Sequence, residues 1–309
     1  MHSIPESISR ERPLVMDGGL ATQLEAQGCD LNNSLWSAAL LRSDPQAVID
    51  ASRAYLDAGA ECITSASYQA SREGFAAAGL SATEADELML LSVQLAEQAR
   101  SEYLQDNPGQ QQAPLIAASI GPYGAMLHDG SEYKGDYGVS ADTLRDFHAE
   151  RLALFDNSGA DLLAVETIPS MLEAEVLAEL LAGCRTPAWI SFSCRDAEHI
   201  SDGRKLADAA RLFADHDTVF AVGINCTPPQ FMLPLIRIIR EAAPNTLVVA
   251  YPNSGERYSV EDNAWSGTAT PVDYALAARE WAAAGASMIG GCCRTTPEHI
   301  RQIRLALQS

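Results

Sequence analysis

A (β/α)₈ barrel in a single domain is the fold class this sequence predicts, on three observations. Eight short apolar runs recur along the 309 residues. Stretches with helical apolar spacing separate them, and similar glycine-bearing joints precede several of the runs. Nearly continuous apolar strands alternating with amphipathic helices form a parallel sheet covered by helices. Eight such units close most naturally into a barrel, a fold of about 250 residues. The expected organisation is an N-terminal arm over residues 1–13 and one barrel domain over 14–309, with no linker or second domain.

The runs, in order, are Leu14–Gly19, Cys62–Tyr68, Leu115–Gly121, Leu162–Ile168, Ala188–Ser193, Phe220–Cys226, Leu247–Asn253 and Met288–Cys293. Before the second, Val48, Ala51, Tyr55 and Leu56 repeat at helical spacing. They follow Asp44-Pro45, a capping side chain ahead of a proline suited to the first helical position. Before the third, Leu88, Leu91, Leu95 and Ala99 follow Ser81 and Glu84, which have capping-box spacing. After the third comes a long loop, Gly121 to about Thr143, with Tyr123, Tyr133 and Tyr137 among Asp129, Glu132 and Asp136. Loops of this length without structure of their own are uncommon and often functional. Ser170 with Glu173 repeats the capping-box spacing after the fourth run. Thr227-Pro228 and Thr296-Pro297 repeat the cap-and-proline pair after the sixth and eighth. Gly59, Gly159 and Gly285 stand just before strands, where glycine can take the left-handed conformation that ends a helix.

Composition narrows the function. The chain is 47% hydrophobic and 20% charged, with 41 acidic against 21 basic residues and a formal charge of -20. Such a surface repels phosphate backbones and anionic lipid, so neither nucleic acid nor membrane is an expected partner. The first thirteen residues hold no apolar targeting run, and no segment reaches the roughly 20 apolar residues of a membrane helix. The seven cysteines lack the even framework of a secreted scaffold and read as reduced cytoplasmic thiols.

In barrels the active site lies at the C-terminal ends of the strands. Those ends collect Asp17-Gly18-Gly19, Ser67-Tyr68, Glu166-Thr167, Ser193-Cys194, Asn225-Cys226, Asn253 and Gly290-Gly291-Cys292-Cys293. Carboxylates, amides and thiols therefore converge on one face. Cys226 ends the sixth run while Cys292 and Cys293 end the eighth, so the three can surround a common point. Three thiolates plus an open position make a catalytic zinc site, whereas four protein ligands make a closed one. A strained vicinal disulfide, an inert buried pair and a redox centre are the competing readings of the neighbouring cysteines. Cys194 shares the rim; Cys29, Cys62 and Cys184 lie elsewhere along the units. No histidine falls at a strand end, His148 reading simply as part of a helix, so a histidine-ligated metal is not expected.

Four motifs carry a family likeness. Asp17-Gly18-Gly19-Leu20-Ala21-Thr22, Gly223-Ile224-Asn225-Cys226, Tyr251-Pro252-Asn253-Ser254-Gly255 and Gly290-Gly291-Cys292-Cys293-Arg294-Thr295 resemble the homocysteine S-methyltransferase family over essentially the whole chain. Within it, the chain is most similar to the short enzymes that use S-methylmethionine, and the loop around Gly121-Pro122-Tyr123-Gly124 and Asp129-Gly130-Ser131-Glu132-Tyr133 belongs to that likeness. The resemblance implies a zinc-dependent barrel with Cys226, Cys292 and Cys293 as ligands. It places Asp17 and Glu166 near the amino group of homocysteine and the Gly18-Gly19 backbone near its carboxylate. Ser67, Asn225 and Asn253 complete the expected substrate-binding rim. The partners it implies are small molecules, homocysteine and a sulfonium methyl donor, S-methylmethionine or S-adenosylmethionine. Attached cobalamin or folate modules are not expected. A betaine- or selenol-directed relative and a non-catalytic zinc or thiol-sensing barrel are the alternatives. A lysine-dependent lyase fits poorly, since Lys134 and Lys205 sit in loops.

Overall fold

The computed structural model describes Pro5 and residues 8–31, 36–255, 257–259, 264–266 and 270–308; most of the first seven residues of the arm, and Ser309, lie outside these. Among the described residues, eight parallel strands form one sheet. They are Leu14–Val15, Cys62–Thr64, Leu115–Ile120, Leu162–Ile168, Ala188–Phe192, Val219–Asn225, Leu247–Tyr251 and Met288–Ile289. Each pairs with the next in sequence from the second to the eighth, and the eighth pairs with the first. The seam between first and second strands closes at a parallel bridge of Met16 with Cys62. There the Asp17 amide donates to Cys62 O at 3.0 Å and the Glu61 amide to Val15 O at 2.7 Å. The chain folds as a (β/α)₈ barrel.

The strands read as apolar runs because both their faces are covered. Outward residues such as Val15, Ile63, Ile116, Val165, Ile190 and Val222 pack beneath the helices. Inward residues, among them Leu14, Met16, Leu162, Trp189, Phe220 and Met288, fill the barrel together with Ile8 from the arm. Ile8 thus packs into the barrel interior, and Arg10 fastens this segment by donating to Pro244 O at 2.7 Å. Among the described residues, no helix is long and apolar enough to cross a membrane.

Local punctuation follows the sequence in most places. Asp44 caps the helix that Pro45 begins, accepting from the Ala47 amide, and Ser81 with Glu84 forms a complete capping box. Gly59, Gly159 and Gly285 all take positive φ, between 89° and 107°. One expected cap has other work. Thr227 Oγ1 accepts from the Cys194 amide and donates to Asn225 O, and its helix, Met232–Ala242, begins later, after a 3₁₀ turn. The last helix, by contrast, begins at Pro297 as the Thr296-Pro297 pair leads one to expect, with Thr296 Oγ1 3.0 Å from His299 Nδ1.

The strands stop earlier than the apolar runs do. The first ends at Val15 rather than Gly19, the second at Thr64 rather than Tyr68, and the eighth at Ile289 rather than Cys293. Beyond each, the backbone leaves the ladder and turns over the barrel mouth. The loop after the third strand is also not structureless. It holds a short helix, Tyr123–Leu127, and a 3₁₀ turn, Ser131–Tyr133. A two-stranded hairpin, Arg257–Ser259 with Ala264–Ser266, follows the seventh strand; nothing in the apolar periodicity announced it.

Candidate active site

The barrel mouth opens into a cavity of about 250 Å³. Asp17, Gly18, Gly19, Glu166, Asn225, Cys226, Cys292 and Cys293 all line it, together with Thr64, Ser119, Tyr68, Tyr133 and Tyr251. The sulfurs of Cys226, Cys292 and Cys293 lie within 4.8 Å of one another, with Cys226 and Cys293 at 3.4 Å. Ligand bonds of about 2.3 Å in a tetrahedral site put thiolate sulfurs about 3.8 Å apart, so the trio matches a metal in spacing and in chemistry. Donation from the Cys226 and Cys292 thiols holds Cys293 well below the usual thiol range, while those two are pushed up. Among the described residues, this is the cluster able to hold a metal ion.

Two buried carboxylates, Asp17 and Glu166, line the same cavity as the thiols. Asp17 Oδ2 accepts from the Thr64 amide at 2.7 Å and from Thr64 Oγ1 at 2.9 Å. Glu166 accepts from Ser119 Oγ and, at 3.0 Å, from the Tyr251 hydroxyl. Burial raises both acids to about 7; the Thr64 bonds oppose it for Asp17, and the Ser119 and Tyr251 bonds oppose it for Glu166. Among the described residues neither carboxyl has an ion-pair partner, so a cation placed beside them would favour their charged forms.

Backbone strain concentrates at the same strand ends. Thr167 and Cys226 have φ of 62° and 48°, a conformation unfavourable for residues with a Cβ and most of all for a β-branched one. Asn225 holds this arrangement. Its Oδ1 accepts from the Thr167 amide at 2.8 Å and from Ser191 Oγ at 2.9 Å, and its Nδ2 donates to Thr167 Oγ1 at 2.7 Å. Its amide is therefore occupied by the protein, although it lines the cavity. Close approach governs the opposite wall. A Cβ on Gly19 would lie 2.6 Å from Cys292 O, and one on Gly290 would lie 2.6 Å from Asp17 O. The Gly19 amide donates to Thr295 Oγ1, so the ends of the first and eighth strands are sewn together.

Two expected rim residues lie outside the lining. Ser67 is fully buried, its hydroxyl donating to Ser119 O and meeting Ser65 Oγ. The second strand ends at Thr64, and the turn after it presents Ser65, Ala66 and Tyr68 instead. Asn253 donates its amide to Thr227 O, while its Oδ1 is buried without a hydrogen-bond partner. Cys194 is buried, its amide on Thr227, and stands apart from the thiol trio. Strand ends alone did not point to Ser119, Thr64 and Tyr251. The available signal was a polar residue at an inward position of an otherwise apolar strand.

Comparison with known proteins agrees with this geometry. Residues 14–307 match the family model for homocysteine S-methyltransferase. The chain belongs to the homocysteine S-methyltransferase family. Homocysteine S-methyltransferase YbgG of Bacillus subtilis is 48% identical over 94% of this chain and 93% of its own. A selenocysteine Se-methyltransferase of Brassica oleracea is 43% identical over 96% of this chain and 89% of its own. The metallated form of the Escherichia coli homocysteine methyltransferase MmuM superposes with a TM-score of 0.85 at 43% identity, covering 95% of this chain and 96% of that one. This family is one of methyltransferases.

Proposed function

We propose that this chain transfers a methyl group from S-methylmethionine, and also from S-adenosylmethionine, to homocysteine, with zinc held by Cys226, Cys292 and Cys293. The observation that carries the reading is that two buried carboxyls, without an ion-pair partner among the described residues, line one cavity with three clustered thiols. That set of groups suits an amino acid bearing a terminal thiol. Asp17 and Glu166 take the homocysteine ammonium by charge-assisted hydrogen bonds. The Gly18-Gly19 backbone and the first turn of helix Leu20–Ala26, which has no side-chain cap, would receive the carboxylate. Zinc in such a donor set deprotonates a bound thiol and fixes its sulfur in place. Water, or an oxygen such as that of Asn253, would take the fourth position in the resting enzyme.

The chain's remaining task is positioning. A methyl on sulfonium is already activated, so the site needs no general acid, only two sulfurs in line through the methyl. Tyr68 and Tyr133 offer ring faces to a cationic donor at the mouth. Selenol acceptors are a second reading, favoured by the likeness to the Brassica selenocysteine enzyme. The test is to supply homocysteine or selenocysteine with S-methylmethionine, S-adenosylmethionine or betaine in turn. Methionine formed fastest from S-methylmethionine supports the reading; a clear preference for betaine overturns it.

A further inference from the structure

Two segments of this chain have the Ser-x-x-Glu spacing of a capping box, and they fold differently. At Ser81 the box closes, with Glu84 Oε2 accepting from the Ser81 amide at the surface. At Ser170 only half of it forms: the serine accepts from the Glu173 amide, but the carboxylate turns inward and is fully buried. Burying a carboxylate costs several kcal/mol unless its oxygens are fully engaged, and an exposed cap was available at no such cost.

The buried carboxylate reaches the loop after the third strand. Oε1 accepts from the Tyr123 amide at 2.6 Å and lies 2.8 Å from His148 Nε2, while Oε2 accepts from the Tyr137 hydroxyl at 2.9 Å. The two tyrosine rings pack at 5.5 Å. Between these anchors, Gly124 is pressed so closely on Glu132 and Tyr137 that a Cβ there would lie 2.6 Å from each. The 3₁₀ turn laid on Gly124 ends at Tyr133, whose hydroxyl stands 3.5 Å from Cys226 Sγ at the cavity mouth. Ser193 Oγ donates to Glu132 O from the other side.

We propose that Glu173 is a positioning residue of the methyl transfer: from outside the cavity it fixes the loop that sets the Tyr133 hydroxyl against Cys226 and so shapes the donor's side of the site. The donor's side rests on the sulfonium reading above. The acceptor's carboxylates, Asp17 and Glu166, lie on other elements, so the loop acts on one substrate and not on both.

Three variants test this. Glu173→Ala removes every anchor, and Tyr137→Phe removes one hydroxyl with the ring kept. Glu173→Gln preserves the geometry, because its oxygen serves Tyr123 and His148 while its amide donates to the Tyr137 oxygen. Donor and acceptor KM, kcat, metal content and hydrogen exchange over residues 121–143 are measured in each. Glu173→Ala is expected to raise the donor KM about tenfold or more, the scale of a misplaced positioning group, and Glu173→Gln to stay within about twofold of the parent. Tyr137→Phe falls between them. Exchange over 123–137 quickens in Glu173→Ala and Tyr137→Phe, with homocysteine affinity and metal content unchanged. A folded Tyr137→Phe or Glu173→Ala protein with the parent's donor KM overturns the proposal. So does an equal rise in both KM values, or a Glu173→Gln variant as impaired as Glu173→Ala. Exchange is read without donor. If the parent accepts methyl from no sulfonium, the donor reading fails on its own, and unchanged exchange still overturns the anchoring.

Discussion

Asn225 grips Thr167 at both its backbone and its side chain, accepting from the amide and donating to the hydroxyl. The grip joins the ends of the fourth and sixth strands. Thr167 follows Glu166, and Asn225 precedes Cys226, so one amide couples a buried carboxylate of the cavity to a thiol of the cysteine cluster. Holding a β-branched residue in the left-handed region costs about 1–2 kcal/mol, and the buried bonds of Asn225 offset it.

A double-mutant cycle checks this coupling. Asn225→Ala is expected to destabilise the protein by about 2–4 kcal/mol, through two unsatisfied partners and the released strain site. Thr167→Gly is expected to be close to neutral, since glycine accepts the positive φ while one side-chain bond is lost. Denaturant midpoints for the pair should show a coupling of about 1 kcal/mol or more. Strict additivity would mean that the two residues do not act together.

The cysteine trio makes a second expectation concrete. Purified protein should carry one zinc per chain, and serine at Cys226, Cys292 or Cys293 should remove most of it. Cys194→Ser should leave the metal untouched, since that thiol is buried away from the cluster with its pKa pushed up by burial. Metal analysis of the purified variants checks both arms. Stoichiometric zinc in a Cys226→Ser, Cys292→Ser double variant would sink the assignment.

Much of this site was legible because barrel strands carry their chemistry at their ends. Asp17, Glu166, Asn225 and the three cysteines all follow from that rule, and all line the cavity. The rule misses at Ser67 because apolar runs do not mark where a strand leaves its ladder. The second strand stops three residues sooner, and the turn buries Ser67 beneath the cavity floor. Glu173 was misleading for another reason. Its spacing from Ser170 is that of a surface cap, and only the tertiary neighbours Tyr123, Tyr137 and His148 reveal its other role. His148, unremarkable as a helix residue, is that carboxylate's buried partner.

Asp17 links the site to stability through pH. Its carboxyl is raised to about 7 by burial, against an ordinary aspartate near 4. Between those values the native protein binds a proton that the unfolded chain has lost. Stability therefore falls as pH rises through this window and levels off above it. Asp17→Asn keeps the acceptor for Thr64 and removes the charge. Metal-free Asp17→Asn should be more stable than the parent by about 1–3 kcal/mol at pH 8, the scale of a buried group released from desolvation. The difference should vanish toward pH 4. Denaturation at both pH values checks it, and a less stable variant at pH 8 would contradict the burial argument.

Glu166 makes the last expectation, one of binding. Its carboxyl is also raised to about 7, by burial against the Ser119 and Tyr251 bonds. An ammonium placed beside it favours the charged form, so its pKa falls on binding and a proton leaves. Homocysteine should bind more tightly as pH rises from 6 to 8, with net proton release from Asp17 and Glu166. Titration calorimetry in buffers of different ionisation enthalpy counts those protons. Glu166→Gln should weaken binding by about 1–3 kcal/mol, the range for a charge-assisted hydrogen bond, and release fewer protons at pH 7, with metal content unchanged. Any proton that the homocysteine thiol would lose at a bound metal is the same in parent and variant, so the difference between them isolates Glu166. A variant that loses metal yet binds homocysteine normally would reverse the roles assigned to the carboxylate and the thiols.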